Sequence, residues 1–440
     1  MKLFQPKLLT AFKGYKPKDY LSDIVAGVIV AIIALPLSIA LAMASNARPE
    51  MGLYTAIIAG FVTALLGGSK VNITGPTAAF ATIVAGIIGP QEGFDGLFLA
   101  TIMAGIILIL MGLLRVGSLI KFIPHTITVG FTAGIAVTLV IGQLKDFLGL
   151  TYPAGTNAIE TIHKLCLVFE NISTFNIWAF VIGGLGLAIL IFWPKISKKI
   201  PGSLIAVIVG ALVCLIPIIN VNTIGKLYPT ISSSMPSFNF PEITGGKILA
   251  LLPSAFTIAL LAGIESLLSC VVSDKMIGDK HNSNTELIAL GAGNLLVGCF
   301  GGIPATGAIA RTAANVKNGG KSPLSGMIHA VVLLLVLLLL MPLASHIPMP
   351  IIAAILFVVA YNMSEWREFV KIIKTKKWND ILVLVVTFVL TVVFDLVKAI
   401  AVGLVIHYAI VLVKYIVTKR KKEKALENEV IEESEDSTNE

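Results

Sequence analysis

Charge is scarce in this sequence. Asp, Glu, Lys and Arg make up 13% of its 440 residues, against about 25% in soluble domains. With 56% hydrophobic residues, the chain has more apolar surface than a soluble core can bury, which excludes an ordinary soluble enzyme. Cysteine is also rare: Cys166, Cys214, Cys270 and Cys299 stand far apart, with neither CxxC nor metal-ligand spacing, so they read as packing residues. The six histidines, His125, His163, His281, His329, His346 and His407, are scattered and form no HExxH and no Ser/His/Asp set, so the sequence calls for no enzyme activity, metal or cofactor. The N-terminal "MKLFQPKLLTAFKGYKPKDY" has no apolar h-region followed by a cleavage site and reads as a basic cytoplasmic lead-in over residues 1–20. The net charge of +8 does not point to nucleic acid, because the lysines sit in short loops and at the chain ends, as in membrane proteins.

What the chain has instead is a recurrence of apolar runs close to the 17–25 residues that cross a bilayer. Fourteen segments are expected: 22–45, 52–68, 71–89, 94–114, 124–144, 174–193, 202–219, 248–273, 285–300, 302–317, 324–343, 349–363, 379–394 and 396–417. With both termini in the cytoplasm, alternation puts fifteen basic residues in inner loops: Lys70, Arg115, Lys121, Lys195, Lys198, Lys199, Lys275, Lys280, Lys317, Lys321, Arg367, Lys371, Lys374, Lys376 and Lys377. Six fall outside, namely Arg48, Lys145, Lys164, Lys226, Lys247 and Lys398, which satisfies the positive-inside rule. The expected location is the inner cell membrane.

Two ionisable residues do not fit into water. Arg311 lies within the tenth segment, and Glu265, in "LLAGIESLLS", lies near the middle of the eighth. Arg at a helix centre costs about 2.5–3.5 kcal/mol on insertion scales, so such groups are functional candidates. Glu286 and Lys280 read as an ordinary pair in a cytoplasmic loop, and His329 and His407 as packing or pore residues.

Fourteen segments divide into seven plus seven, and an odd number per half inverts the second half. The third, "GGSKVNITGPTAAFATIVAG", then matches the tenth, "GGIPATGAIARTAANVKNGG". Both begin with Gly-Gly and carry Thr-Gly shortly before a helix of small residues. Pro and Gly keep "VNITGP" and "GIPATG" extended or irregular, so helix starts only near the midplane. Each start exposes unpaired N–H groups and the positive end of a helix dipole. Interrupted segments at matching positions of inverted halves point to a transporter's binding site. The expected anion donors are the N–H groups around Thr77 and Ala78 and around Ala308 and Ile309, reinforced by the Arg311 guanidinium.

The stretches "LPLSIALAMASNARPEMGLYTAIIAGFVTALLGGSKVNITGPTAAF", "GIESLLSCVVSDKMIGDKHNSNTELIALGAGNLLVGCFGGIPATGAIARTAANVKNGGKSPLSGMIHA" and "DLVKAIAVGLVIHYAIVLV" resemble the SulP (sulfate permease-like) anion transporters, relatives of the animal solute carrier 26 proteins. The resemblance covers residues 15–418. It implies an all-α polytopic membrane protein with a transporter domain over 21–418. The core spans would occupy 21–115 and 248–343, and the gate spans 116–247 and 344–418. It also implies an elevator-like motion of core against gate, and a homodimer. The implied substrate site uses Leu37, Leu41, Thr77, Phe80, Ala308, Ile309 and Arg311, flanked by Glu265 and Ser269. Many relatives carry Gln where Leu37 stands. The region from "GIESLLS" to "HNSNTELI" is most similar to cyanobacterial sodium-dependent bicarbonate transporters, which carry Asp at the Glu265 position and lack the arginine. Relatives usually end in a STAS domain. Here the tail of 419–440 is expected to be short and charged, without STAS, basic at the lipid surface and disordered in its acidic part.

The resulting expectation is a secondary active transporter of a small inorganic anion, sulfate first. A carboxylate beside an anion site is repulsive unless neutralised. Glu265 is therefore expected to take up H⁺, or Na⁺ together with Ser269, and so to couple transport to a cation gradient. The rival readings are sodium-dependent bicarbonate transport, a dicarboxylate symporter and a passive anion channel. A channel would not need Glu265, and a nucleobase permease should omit the arginine.

Overall fold

Breakers in the sequence become helix boundaries. The computed structural model describes residues 4–12, 14–89, 93–117, 124–153, 156, 160–197, 200–394 and 396–436, with side chains as far as 420 except at 396–398. Lys121, Lys198, Lys199 and the last four tail residues lie outside the described residues. A helix occupies each of the fourteen expected segments. These are α1 (Pro17–Ala44), α2 (Pro49–Leu66), α3 (Ala81–Ile88, after a 3-10 turn at Ala78–Phe80), α4 (Gly93–Leu113), α5 (His125–Leu148), α6 (Ile177–Ile196) and α7 (Gly202–Val213). The second half supplies α8 (Gly245–Ile277), α9 (Ser283–Cys299), α10 (Ile309–Lys317), α11 (Pro323–Ala344), α12 (Met349–Met363), α13 (Trp378–Val393) and α14 (Leu396–Asp436).

The boundaries follow from local chemistry. Prolines at the first turns of α1, α2 and α11 lose no intrahelical bond there. Asn176, Thr244, Asn282 and Ser322 cap α6, α8, α9 and α11 through their side chains. Gly278 ends α8 in the left-handed conformation, φ 67°. The acidic end of the tail, expected to be disordered, continues α14 to Asp436. Its Lys, Glu, Ala and Leu are strong helix formers, and that propensity prevails.

Nine helices among the described residues are long and apolar enough to cross a membrane, and Ala78–Ile88, α7 and α13 are shorter apolar helices. The chain is not purely helical. Thr74–Gly75 (β1) and Thr306–Gly307 (β2) form an antiparallel pair, with Thr74 opposite Gly307 and Gly75 opposite Thr306. The two segments expected to be extended or irregular therefore satisfy each other's backbone groups, as buried backbone must.

Two compact units are distinguished. The first comprises Met1–Lys121 and Ile135–Asn362 and holds both strands. In it α4 packs along α9, α2 against α9 and α11, α1 against α2 and α11, and α8 against α4 and α10. The α4–α9 contact is backbone to backbone: a Cβ on Gly105 would sit 2.6 Å from the Gly291 carbonyl oxygen, the close approach that small residues allow between membrane helices. The second unit comprises Phe122–Gly134 and Met363–Glu440. It contains α13, α14 and the amphipathic helix Trp366–Lys374, whose Phe369 ring meets Phe388 at 5.4 Å.

One surface clamp ties three loops of the first unit together. Asp279, after α8, accepts from Lys7 Nζ and lies against Lys70 Nζ, each at 3.0 Å. Burial alone would raise this carboxyl, but the Lys280 N–H and the two ammonium groups outweigh it and hold Asp279 at about 2.

Candidate anion site

The paired strands lie between two short helices, and a buried polar lattice holds them in place. Asn72, just before β1, is the hub. The Ser269 and Thr312 hydroxyls donate to Asn72 Oδ1 at 2.7 and 2.9 Å. Asn72 Nδ2 donates to Glu286 Oε1 at 2.7 Å. Glu286 Oε2 accepts the N–H groups of Gly68 and Ser69 at 2.8 and 3.1 Å. The second strand has its own anchor: Asn294 Oδ1 accepts from Ala305 N–H at 2.8 Å, and Asn294 Nδ2 donates to Ala305 O at 3.0 Å. Asn72, Asn294 and Glu286 are buried, and satisfied networks of this kind specify one backbone arrangement.

This corrects one reading. Glu286 is not paired with Lys280 in a loop. It is 2% exposed and holds the segment leading into β1, accepting from the Gly68 and Ser69 N–H groups and from Asn72 Nδ2. Ser269 belongs to the same lattice. Its hydroxyl is committed to Asn72 and also lies 3.0 Å from Thr312 Oγ1.

Arg311, in the first turn of α10, is 2% exposed. Its Nη2 donates to the carbonyl oxygen of Pro76 at the end of β1, so a side chain from the second half of the chain closes on the first half. Nη1 lies over Gly75, where any Cβ would collide with it. Nε and Nη1 are buried without a hydrogen-bond partner. A buried guanidinium with two open donor nitrogens is poised for an acceptor that the protein does not itself supply.

The two helix starts differ. At α3, the Thr77 hydroxyl accepts from Ala79 N–H at 3.4 Å and partly caps the turn. At α10, Ala308 has no side-chain cap. The first i→i−4 bond of α10 is Thr312 N–H to Ala308 O at 2.9 Å, so the N–H groups of Ile309, Ala310 and Arg311 precede the helical ladder. The Ala308 N–H, expected as an anion donor, instead donates to Ile73 O at 2.9 Å. Pairing of the strands takes that group, and the open donors begin one residue later.

The other expected residues fall around this centre. Glu265 is half-buried and interacts with the Thr77 side chain and with the Arg311 charge. Phe80 and Leu41 are buried at 1% and 2% exposure, while Ile309 is exposed. Leu37 lies in a different environment, against an apolar cluster of Ala179, Ile182, Ala206, Ile351 and Ile355. A cavity of about 530 Å³ reaches the α3 start along Ala78, Ala81 and Thr82, facing Thr138 and Leu139 of α5. Of the ten expected residues, Ala78 alone lines it.

Several contributors were not singled out from sequence. Asn72, Asn294 and Thr312 are polar residues in apolar surroundings, which is the signal that could have found them. Asp23, fully buried near the start of α1, accepts the Lys321 N–H at 2.7 Å and the Ser322 N–H at 3.2 Å. His329 on α11, expected as a packing or pore residue, is fully buried and neither ring nitrogen has a partner. It packs beside Gly60 and within range of the Arg311 charge.

Comparison with known proteins matches this arrangement. Residues 20–387 match the sulfate permease family. The putative sulfate transporter YvdB of Bacillus subtilis (strain 168) is 45% identical over 398 residues, covering 90% of this chain and 74% of that protein. The bicarbonate transporter BicA of Picosynechococcus sp. is 34% identical over 394 residues, covering 87% and 68%. The solved transmembrane domain of a cyanobacterial BicA superposes with a TM-score of 0.79 at 31% identity, over 88% of this chain and 98% of that one. The inward-facing murine Solute Carrier 26 family member A9 superposes with a TM-score of 0.83 at 20% identity, over 94% and 71%, which speaks to the fold. Two broken helices bound by a buried strand pair, in a chain that matches over most of its length, make this multi-pass membrane protein a member of the sulfate permease family.

Proposed function

We propose that this chain is a secondary active transporter of a small inorganic oxyanion, with sulfate as the first candidate. The observation that carries the reading is Arg311, buried at the open start of α10 with Nε and Nη1 unpartnered. A buried cation with two unpaired donor nitrogens is costly, and a bound oxyanion supplies the missing acceptors while meeting the first-turn N–H groups of α10. Likeness to YvdB, a putative sulfate transporter, supports the same substrate.

Glu265 couples transport to a cation. Close to Arg311 it balances the charge when the site is empty, and when the anion arrives it takes up H⁺, which removes the repulsion. Na⁺ held by Glu265 together with Ser269 is the alternative coupling ion. The proposal includes seven plus seven inverted spans, an elevator motion of core spans against gate spans, both termini in the cytoplasm, and a homodimer. Sodium-dependent bicarbonate transport is the second reading, favoured by likeness to BicA over 87% of the chain.

The test is uptake by reconstituted protein in liposomes, with labelled sulfate, bicarbonate and fumarate offered under imposed proton or sodium gradients. Sulfate accumulation driven by the proton gradient is expected. Bicarbonate uptake that requires Na⁺ would replace the first reading with the second, and flux that ignores both gradients would indicate a channel.

A further inference from the structure

The cavity that reaches Ala78 also carries two cations the site does not use. Its wall includes Lys145 and Asp146 at the end of α5 and Lys164 on the short helix Thr161–Glu170. Lys164 is half-buried, and Lys145 Nζ lies 4.7 Å from the centre of the Tyr152 ring. Among the described residues neither ammonium forms an ion pair. Among the described residues Asp146 is the one acidic group in the wall. The remaining polar lining, such as Gln143, Thr138 and Tyr228, is neutral. The described lining is therefore net positive by one charge, and it includes Ala78 at the start of α3.

Ordinary surface lysines face open water, where salt screens them within about 8–10 Å. A cleft with low-dielectric walls focuses the field and raises the local concentration of an oppositely charged solute. The C-terminal ends of α1, α3 and α5 all border this cavity, and alternation from a cytoplasmic N-terminus assigns those ends to the outer face.

We propose that Lys145 and Lys164 form an outer capture station for the transported oxyanion, ahead of Arg311, that favours divalent over monovalent anions. The inference rests on the anion-transporter reading. Capture raises the rate at which external anion reaches the inner site and leaves the coupling chemistry at Glu265 untouched. Asp146 opposes it and sets its strength.

The experiment compares wild type, K145Q/K164Q, K145R/K164R and D146N in oriented proteoliposomes. The readout is kcat/KM for sulfate offered from either side at low and high ionic strength. For K145Q/K164Q, a fall on the order of tenfold from the outside at low salt is expected, the lower end of cleft focusing. It should shrink at high salt, with no change from the inside. The arginine variant should retain wild-type values, and D146N should raise kcat/KM from the outside. Unchanged kcat/KM in K145Q/K164Q, or an equal loss from both sides, overturns the capture station. Thermal unfolding of each variant separates loss of fold from loss of capture. If wild type itself moves no oxyanion, the transporter reading falls first, which is a distinguishable result.

Discussion

Arg311 on α10 donates from Nη2 to the backbone carbonyl of Pro76, 235 residues earlier in the chain. This contact crosses from one half of the chain to the other just beyond β1. It fixes where the guanidinium sits and leaves Nε and Nη1 open.

Replacing Arg311 tests whether those open nitrogens hold the anion. A hydrogen bond to a charged group contributes about 1.5–3 kcal/mol, roughly 10–100-fold in affinity. Arg311→Ala should therefore weaken sulfate binding, measured by calorimetry or uptake KM, by at least an order of magnitude. Arg311→Lys should recover part of it, because a point charge cannot match the planar fork. Unaltered affinity in both variants would remove Arg311 from the binding site.

Gly75 is coupled to the same group. A methyl group there would displace Nη1, so Gly75→Ala should lower anion affinity in wild type yet have little further effect in an Arg311→Ala background. The corresponding double-mutant cycle should show strong non-additivity. Additive losses would mean that Gly75 acts through the backbone alone.

Glu286 should matter for stability and not for selectivity. Glu286→Ala leaves the N–H groups of Gly68 and Ser69 without their acceptor and takes the nearer of its two acceptors from the Asn72 amide, at about 1–3 kcal/mol for each buried unsatisfied group. Thermal unfolding in detergent should shift down by several degrees, with the order of transported anions retained. Glu286→Gln should be milder, since one oxygen remains as acceptor.

Glu265→Gln is expected to abolish gradient-driven accumulation while leaving exchange of labelled for unlabelled anion intact. The comparison of net uptake with exchange in the same liposomes isolates coupling from binding. Gradient-driven uptake at wild-type level would exclude Glu265 as the coupling group.

The Asp279 clamp predicts an acid limit. Its folded value of about 2 lies below the unfolded value of about 3.9. A lowered carboxyl stabilises the fold fully above the unfolded value, and that contribution is lost as pH falls through roughly 4 to 2. Between pH 5 and 8 the clamp should be constant. Asp279→Asn should lower stability at neutral pH and flatten the acid dependence of unfolding below pH 4.

Much of the scaffold was legible because its causes are local. Apolar run length places α1–α14, and Gly, Pro and capping residues such as Asn176 and Thr244 place their ends. The breaks at "VNITGP" and "GIPATG" were readable for the same reason. Their pairing into β1 and β2 was not, nor was the loss of the Ala308 N–H to Ile73. Glu286 was misread because a carboxylate near lysines in sequence resembles a solvated loop. Its true partners, Gly68, Ser69 and Asn72, are more than two hundred residues away.

The sequence by itself determined that the chain enters a membrane, where its helices start and stop, and that Arg311 and Glu265 stand apart from every aqueous loop. Those properties depend on residues a few positions apart. Only the tertiary structure decided which backbone donors remain open, which oxygen the Arg311 guanidinium meets, and that Ser269 serves Asn72. Hydrogen bonds between distant segments are assigned by competition among all the groups that packing brings together, and that competition does not exist until the two halves of the chain have met.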